Sequence, residues 1–341
     1  MIDLRSDTKT LPGQQMREFM MAAQVGDDVS GEDPTVNLLE DKCADLLGKQ
    51  AGLLVTSGTQ GNLVSMMAHT TPGQMLICHE SAHIIVYEQG GVARICGLLV
   101  KTLPGDYGAL DPCDVQAAVP EEDLHRAPLG VVELENTHNN CGGTVIAKEQ
   151  IDAVAEVAHQ HGAPLHIDGA RIFNAATALG INAKSLVENA DSVQFCFSKG
   201  LGAPIGSMVV GSKEFIAGAR RARKVVGGAM RQAGIIAAGG LFALEHGVPR
   251  LHEDHANARR IAETLAALPG IGIDLDSVQT NIIFFQVCRD DMTAPGLCDR
   301  LAQYGITAGA RDASTIRFVT HQEISAADTD LICRSLTETL R

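Results

Sequence analysis

Short apolar runs alternate with amphipathic stretches along the chain from about residue 35 to residue 245. The apolar runs predict strands at 52–56, 74–78, 98–103, 129–134, 164–167, 192–197 and 206–210. Helical spacing of apolar residues predicts helices at 35–47, 62–69 and 149–161. Strands that are almost continuously apolar and separated by helices indicate a mostly parallel sheet covered on both faces, so we expect an α/β fold here.

The pattern changes after Pro249. A charged helix is predicted at 250–267, then a strand at 281–287, a helix at 294–304, a strand at 316–320 and a last helix from 325. This order predicts a smaller C-terminal α+β domain at 249–341. An N-terminal arm and a large domain at 1–248 would precede it.

Composition narrows the class of protein. The 341 residues are 45% hydrophobic, which excludes a disordered chain, and the net charge of −14 argues against nucleic acid or a polybasic membrane contact. No apolar run approaches the roughly 20 residues of a spanning helix, and the first residues are too charged for a signal peptide. Nine scattered cysteines without a C-x-x-C pair indicate free thiols, so we expect a cytoplasmic protein.

Ligands of open α/β sheets bind at the carboxyl ends of the strands, so residues that follow the apolar runs are candidates for a site. Ser57, Gly58 and Thr59 stand where a strand ends and a helix begins. Free backbone N–H groups at such a helix start suit a phosphate. The alternative is an ordinary capped helix without a ligand.

Asp168 and Lys199 follow two strands that are separated by one helix. A buried carboxylate requires a partner, which could be a protonated ring nitrogen, a metal or a helix N-terminus. A lysine beside apolar residues loses its charge more readily and becomes a nucleophile towards carbonyl groups. Without a second clue, Lys199 would be interpreted as a solvated loop residue. Together the two residues match the needs of pyridoxal 5'-phosphate: an amine for the carbonyl and an anion for the ring nitrogen.

The segment His79-Glu80-Ser81-Ala82-His83 matches the H-E-x-x-H pattern of zinc hydrolases. That chemistry needs both histidines on one face of a helix, but His79 directly follows an apolar run and is expected at a strand end. We therefore expect no metal. His83 precedes apolar and aromatic residues, where it is either a core histidine or a partner that stacks on a planar ring.

Several basic residues are candidates for binding anions. Lys224 and Arg231 flank a segment containing two glycines that permit close approach of the backbone to an anion. Arg317 lies within an apolar strand, where a guanidinium requires a carboxylate.

The chain resembles the L-threonine aldolases, pyridoxal-phosphate enzymes of the aspartate-aminotransferase fold type. The resemblance runs essentially from end to end. It is carried by the motifs Ile2-Asp3-Leu4-Arg5-Ser6-Asp7-Thr8, Val25-Gly26-Asp27-Asp28, Gly31-Glu32-Asp33-Pro34, Glu135-Asn136-Thr137-His138-Asn139, His166-Ile167-Asp168-Gly169-Ala170-Arg171-Ile172-Phe173-Asn174, Ser198-Lys199-Gly200-Leu201-Gly202-Ala203-Pro204, Gly227-Gly228-Ala229-Met230-Arg231-Gln232 and Arg317-Phe318-Val319-Thr320-His321.

The resemblance implies a role for each candidate residue. Lys199 would bind the cofactor as a Schiff base, Asp168 would face the ring nitrogen and His83 would stack on the ring. Further expected cofactor ligands are Ser57, Gly58, Thr59 and Arg171, with Lys224 and Arg231 supplied by a neighbouring subunit. Ser6, Arg171 and Arg317 would bind the substrate carboxylate, and His83 and His125 would lie near the substrate hydroxyl.

The implied reaction is cleavage of L-threonine, L-allo-threonine or a related β-hydroxy-α-amino acid to glycine and an aldehyde, by a homodimer or homotetramer with sites between subunits. Ser30 stands where the family usually has an aromatic residue, and we expect it near the substrate pocket. Lys9 and Leu11 replace a more usual valine and arginine. Other interpretations are a preference for phenylserine, β-elimination, a zinc hydrolase using His79 and His83, and a non-catalytic binding protein.

Overall fold

The computed structural model describes residues 1–340. Every strand predicted from the apolar runs is present, with ends that shift by one or two residues. The strands are β1 (Ile2–Asp3), β2 (Ala51–Val55), β3 (Met75–His79), β4 (Leu99–Leu103), β5 (Leu129–Glu135), β6 (Leu165–Asp168), β7 (Ser192–Cys196), β8 (Ser207–Gly211), β9 (Ile271–Gly272), β10 (Ile282–Val287), β11 (Ile306–Thr307), β12 (Gly309–Ala310) and β13 (Thr315–Val319).

The predicted helices are also present, together with shorter ones that the apolar spacing does not reveal. The helices are α1 (Gln14–Met21), α2 (Pro34–Leu47), α3 (Gly58–His69), α4 (His83–Val86), α5 (Gly91–Arg94), α6 (Pro112–Ala118), α7 (Lys148–Gln160), α8 (Ile172–Leu179), α9 (Ala183–Leu186), α10 (Lys213–Val225), α11 (Gly234–His246), α12 (Leu251–Ala266), α13 (Ala294–Ala302) and α14 (Ala326–Leu340).

The large sheet has seven strands in the order β2-β8-β7-β6-β5-β3-β4. Its strands run parallel except for β8, which is antiparallel to both β2 and β7. The segment between β7 and β8 contains no helix, and a connection without a crossover helix returns the chain in the opposite direction. The prediction of an α/β fold with a mostly parallel sheet between helices is confirmed. Lys199 lies in this β7–β8 connection.

Local sequence signals set the ends of the helices that flank the sheet. The side chain of Asp33 accepts hydrogen bonds from the backbone N–H groups of Thr35 and Val36 at the start of α2, and Pro34 occupies its first turn. Gly48 ends α2 with a φ of 65°, a left-handed conformation that favours glycine. Ser57 caps α3 by accepting a hydrogen bond from the N–H of Gln60. The start of α3 lies beside Cys196 at the end of β7.

The C-terminal part of the chain has its own four-stranded sheet, in the order β12-β13-β10-β9, and its own apolar core. The N-terminal residues Ile2 and Leu4 belong to that core, and β1 pairs in parallel with β11. The start of the chain therefore reaches across to the C-terminal part, which brings residues 6–10 beside the large sheet. The division into domains at 1–248 and 249–341 stays a prediction.

The structure also bears on contact with a membrane. None of the helices within the described residues is both long and apolar enough to cross a bilayer.

Candidate active site

The site forms where the parallel strands β5, β6 and β7 end. Glu135 and Asp168 are the last residues of β5 and β6 and pair in register, and Lys199 follows the end of β7. A cavity of about 270 Å³ opens beside them. Its walls are formed by Ser6, Thr8, His83, Tyr87, Asn139, Arg171, Lys199, Arg311 and Arg317. The structure thus brings together residues that lie far apart along the chain.

Asp168 is a buried carboxylate that is held ionised. Only 2% of its surface is exposed, and Oδ2 accepts a hydrogen bond of 2.7 Å from Asn62 Nδ2. Burial alone would raise its pKa, but the charges of His83 and Lys199 hold the pKa of this carboxyl below its ordinary value. Asp168 can therefore keep a proton on a ring nitrogen that faces it.

Asn62 connects the buried polar groups below the cavity. Its Nδ2 group donates to Asp168 and also to Glu88 Oε1, at 2.9 Å. Its Oδ1 atom accepts from His166 Nε2 at 3.2 Å, when that nitrogen carries the proton. Burial lowers the pKa of His166 to about 4, so this histidine is neutral near pH 7. A single amide on α3 thus bonds to both Asp168 and Glu88.

His83 begins α4 and forms part of the cavity wall. Its Nδ1 atom lies 2.9 Å from Oε1 of the buried Glu88. Burial opposes a charge on the ring, but the hydrogen bond to Glu88 and the charge of Asp168 raise the pKa of His83 above its ordinary value. The imidazole is therefore fixed at Nδ1, and its faces and Nε2 remain available to a ligand.

Glu135 joins two loops of the site. Its Oε2 atom accepts a hydrogen bond of 2.7 Å from the backbone N–H of His83, and Oε1 accepts one of 2.8 Å from the N–H of Asn139. Burial, followed by the neighbouring charge of Asp168, raises the pKa of Glu135 to about 7. The ionised carboxylate thus holds His83 and Asn139 in place, and protonation weakens that hold.

We expect the substitution Glu135→Gln to lower kcat/KM roughly tenfold, because an amide cannot accept two backbone hydrogen bonds with the strength of a carboxylate. Wild-type activity should rise with pH through about 7, as Glu135 ionises, and the variant should be flat over that range. Since the folded-state pKa is raised, wild-type stability should fall as pH rises from about 4.5 to 7, and the variant should lose this slope. Activity and thermal unfolding measured between pH 5 and 9 check both points, and an unchanged profile would contradict them.

Arg171 is buried beside Asp7, a carboxylate for which the sequence predicts no role in the site. Its Nε and Nη2 atoms donate to Oδ2 and Oδ1 of Asp7, each at 2.6 Å, and Asp7 itself is fully buried. Burial opposes ionisation, but the charge of Arg171 holds the pKa of Asp7 far below its ordinary value. Two nitrogens of Arg171 are thus committed to Asp7, and this ion pair anchors the N-terminal segment to α8.

The substitution Asp7→Asn should destabilise the protein by roughly 3–5 kcal/mol, because it leaves the Arg171 guanidinium buried without a counter-charge. In the wild type this contribution is complete above about pH 4 and is lost as the pH falls below that, since the folded-state pKa of Asp7 is lowered. Chemical denaturation at pH 7 measures the difference. The control is Asp291→Asn, which breaks an exposed ion pair with Arg289 and should leave the stability close to that of the wild type.

Arg317 and Ser6 also line the cavity. Arg317 donates from Nη1 to Asn139 Oδ1 and from Nη2 to the carbonyl of Arg5, each at 3.0 Å. Among the described residues it forms no ion pair with a carboxylate. Burial, followed by the charges of Arg171 and Arg311, lowers its pKa to about 10. A guanidinium held by neutral acceptors is ready to bind a carboxylate from outside.

The start of α3 offers an anion site beside the end of β7. Within residues 1–340 the backbone N–H groups of Gly58 and Thr59 have no acceptor, and the helix that follows has 12 residues. A Cβ on Gly58 would lie 2.9 Å from Cys196 Sγ, so glycine allows α3 to approach the end of β7 closely. Amine, ring-nitrogen anion, stacking imidazole and phosphate donors are all present, so the residues fit pyridoxal 5'-phosphate.

Some predicted site residues lie elsewhere in this chain. His125 is on an exposed loop, where Nδ1 pairs with Asp123 at 2.9 Å, and Arg231 pairs with Asp27 at 2.8 Å. Lys224 is exposed near the end of α10, and none of these three residues lines the cavity. Their roles stay predictions. Ser30 is exposed and outside the cavity wall, so its expected place near the pocket is not found within one chain.

The H-E-x-x-H segment does not form the helix that a zinc hydrolase needs. His79 ends β3, as expected, and its ring bonds to Ser81 and to the carbonyl of Gly105. His83 begins a separate short helix and pairs with Glu88. The two histidines therefore face different surroundings, and the zinc interpretation has no support.

Several functional residues escaped the sequence reasoning. Glu135 could have been found, because it ends an apolar run as Asp168 does. Asn62 and Glu88 carry no comparable signal, since each becomes informative only beside its partners. Asp7 stands within the first of the motifs that carry the family resemblance, but its partner Arg171 is 164 positions away. Tyr87 and Arg311 lie at the cavity only because two loops meet there.

The similarity of this chain to known proteins agrees with a site that binds pyridoxal 5'-phosphate. Residues 3–288 match the family described as beta-eliminating lyase. The chain is 43% identical over 336 residues to the probable low-specificity L-threonine aldolase 2 of Arabidopsis thaliana, covering 97% of this chain and 95% of the relative. It is 41% identical over 326 residues to the low specificity L-threonine aldolase of Escherichia coli K12, covering 95% of each.

Solved structures share the fold at lower identity. The threonine aldolase of Leishmania major superposes with a TM-score of 0.85 at 18% identity and covers all of both chains. A putative L-allo-threonine aldolase of Listeria monocytogenes superposes with a TM-score of 0.83 at 20% identity, covering 99% of this chain and 96% of the other. The chain therefore belongs to the beta-eliminating lyase family and, within it, to the group of the L-threonine aldolases.

Proposed function

We propose that this chain is a pyridoxal-phosphate-dependent aldolase that cleaves L-threonine, L-allo-threonine and related β-hydroxy-α-amino acids to glycine and an aldehyde. The observation that carries the proposal is the convergence of Lys199, Asp168 and the open start of α3 beside Arg317. The chemistry that pyridoxal phosphate supplies when bound is a ring that accepts the electron pair left on Cα.

Each residue has a defined task in binding the cofactor. Lys199 Nζ binds the cofactor carbonyl, and the N–H groups of Gly58 and Thr59 bind its phosphate. Asp168 keeps a proton on the ring nitrogen, because its carboxylate is held ionised by His83, Lys199 and Asn62. His83 would stack on the ring, and Glu88 keeps the imidazole oriented.

The substrate is bound through its carboxylate. Arg317 presents its guanidinium to the cavity, and Ser6 lies in the same wall. Arg171 is a second cation in the same wall as Arg317, although two of its nitrogens bind Asp7. Fixing the carboxylate orients the bond between Cα and Cβ relative to the ring, which is a contribution from positioning.

Removal of the hydroxyl proton is assigned to His83, either directly or through a water that it holds. His83 Nε2 is the open nitrogen of an imidazole whose Nδ1 is bound to Glu88, and it can accept the hydroxyl proton when the ring is neutral. His125 would serve this step only if its exposed loop met the cavity of another subunit. Loss of that proton turns the hydroxyl carbon into an aldehyde as the bond to Cα breaks.

A comparison of substrates tests the function. Purified enzyme loaded with pyridoxal phosphate should release glycine and acetaldehyde from L-threonine and L-allo-threonine, and benzaldehyde from L-phenylserine. Reduction with borohydride should attach the cofactor to the peptide that contains Lys199 and abolish activity. If none of the three amino acids yields an aldehyde, the assignment is wrong. Pyruvate formed from serine in their place would indicate β-elimination.

We further propose a homodimer or homotetramer, located in the cytoplasm, with Lys224 and Arg231 reaching the phosphate of a neighbouring subunit. Exposed apolar side chains on the packed helices α1, α2 and α11 support an interface there: Met21, Leu38 and Ile235.

The cysteines are all free, which suits a reducing compartment such as the cytoplasm. Light scattering gives the subunit number. If sites are shared, mixing the inactive variants Lys199→Ala and Arg231→Ala should restore activity.

A further inference from the structure

Arg311 adds a cation to the cavity that the cleavage of threonine does not require. It lies in the turn between β12 and β13 and forms part of the same wall as Arg317. Its position is well defined: Nη2 donates to Tyr87 Oη at 2.9 Å and to Asn140 Oδ1 at 3.3 Å. The guanidinium carbon also lies 5.7 Å from the ring centres of both Tyr87 and Phe284.

No carboxylate of the described residues forms an ion pair with Arg311. The acid next to it in sequence, Asp312, is turned away. Its Oδ1 atom accepts hydrogen bonds from the backbone of Ser314 and Thr315. The partners of Arg311 are thus neutral oxygens and aromatic faces, which hold a guanidinium without neutralising it.

The positive charges around the cavity are unequally compensated. Asp7 neutralises Arg171, whereas Arg317 and Arg311 both face the cavity without a carboxylate. The charge of Arg311 contributes to lowering the pKa of Arg317, so the two guanidinium groups repel one another across this wall. L-Threonine brings one carboxylate, which Arg317 can bind, and leaves Arg311 without an anion.

Arg311 lies on the same side of the cavity as His83, with Tyr87 between them. Tyr87 follows His83 by four residues, and their ring centres are 5.4 Å apart. The proposed function places the hydroxyl group beside His83, so the wall next to the hydroxyl carbon and its substituent is the one that Tyr87 and the Arg311 guanidinium form. The cavity of about 270 Å³ suits a small substrate.

We propose that the enzyme also cleaves β-hydroxy-α-amino acids whose β-carbon carries a carboxylate, with Arg311 as the residue that binds this second carboxylate. The proposal rests on the proposed function, since the bond that breaks is the same. With 3-hydroxyaspartate the bond between Cα and Cβ breaks, its electron pair stays on Cα and Cα takes up a proton. The hydroxyl loses its proton and becomes a carbonyl, so the products are glycine and glyoxylate.

The test compares substrates in the enzyme loaded with cofactor. Wild-type enzyme should form glyoxylate from 3-hydroxyaspartate, and this reaction should weaken with added salt more steeply than threonine cleavage. In Arg311→Gln the ratio of kcat/KM for 3-hydroxyaspartate to kcat/KM for threonine should fall at least about tenfold. The matched control Arg300→Gln, an exposed arginine of α13 outside the cavity wall, should leave the ratio unchanged.

Binding measured without turnover provides a second readout. Calorimetry should find that succinate binds more tightly than butyrate, and that Arg311→Gln removes this difference while thermal unfolding stays unchanged. Acetaldehyde from threonine without glyoxylate from either diastereomer of 3-hydroxyaspartate would overturn the inference alone. The same holds if the ratio in Arg311→Gln equals that of the wild type. If neither threonine nor 3-hydroxyaspartate is cleaved, the proposed function fails and this inference with it.

Discussion

Substituting Lys199 by alanine should reduce aldehyde formation by at least about three orders of magnitude, because the amine that binds the cofactor covalently is lost. The fold should survive, since the contact that Lys199 makes with Thr10 uses its backbone carbonyl, which accepts from Thr10 Oγ1 at 3.0 Å. The neighbouring Asp168 keeps its hydrogen bonds from Asn62 and Gln194. The expected protein is therefore folded, inactive and unable to retain cofactor after borohydride treatment.

Three measurements separate this result from simple unfolding: the circular dichroism spectrum, the rate of aldehyde release and the mass of peptides after borohydride reduction. The control is Lys101→Ala, which removes an exposed lysine from β4 and should leave all three unchanged. If Lys199→Ala still carried reducible cofactor and turned over at the wild-type rate, another amine would have to be the reactive one.

The substitution Asp168→Asn should lower activity by roughly two to three orders of magnitude, because the neutral amide no longer keeps the ring nitrogen of the cofactor protonated. The amide oxygen can still accept from Asn62, whereas the amide nitrogen faces the donors Ala170 N–H and Gln194 Nε2. A circular dichroism spectrum like that of the wild type therefore has to accompany the activity measurement, so that the loss can be assigned to the charge. Asp191→Asn at the opposite end of the sheet is the matched control, and its activity should stay within a few-fold of the wild type.

A second effect of Asp168→Asn concerns Glu135. The charge of Asp168, after burial, is a cause of the raised pKa of Glu135. Removing that charge should lower the pKa of Glu135 from about 7 and shift the rise of residual activity towards lower pH. A residual activity that still rises through pH 7 would show that Glu135 does not control this limb of the profile.

Much of the fold follows from the apolar pattern. The strands β2 to β8 lie within one or two residues of the predicted ranges, because buried strands are short, continuous apolar runs that polar turn residues interrupt. The same pattern placed His79 at a strand end, which removed the zinc interpretation. The direction of β8 was not anticipated, because its apolar run looks like those of the parallel strands and only the absence of a helix after β7 distinguishes it.

The sequence predicts those residues of the candidate site that directly follow a strand, and it does not predict the others. Asp168 and Lys199 follow apolar runs, and parallel strands place such residues on one edge. The partners that set their chemistry come from distant segments: Asn62 is 106 positions from Asp168, and Asp7 is 164 positions from Arg171. His125 is the opposite case. The family resemblance predicts it in the site, but its exposed loop does not line this cavity.

By itself, the sequence determined the α/β class, the strands and the family, and it picked out Asp168 and Lys199, the two residues for which we propose roles in the cofactor chemistry. These are local properties, since they rest on apolar runs and on the residue that ends each run. Only the tertiary structure decided which charges are compensated. It assigned Asp7 to Arg171, made Glu135 the link between His83 and Asn139, and left Arg311 facing the cavity without a carboxylate. Compensation of charge depends on distances of a few ångströms between segments that are remote in sequence, and a linear pattern carries no such distances.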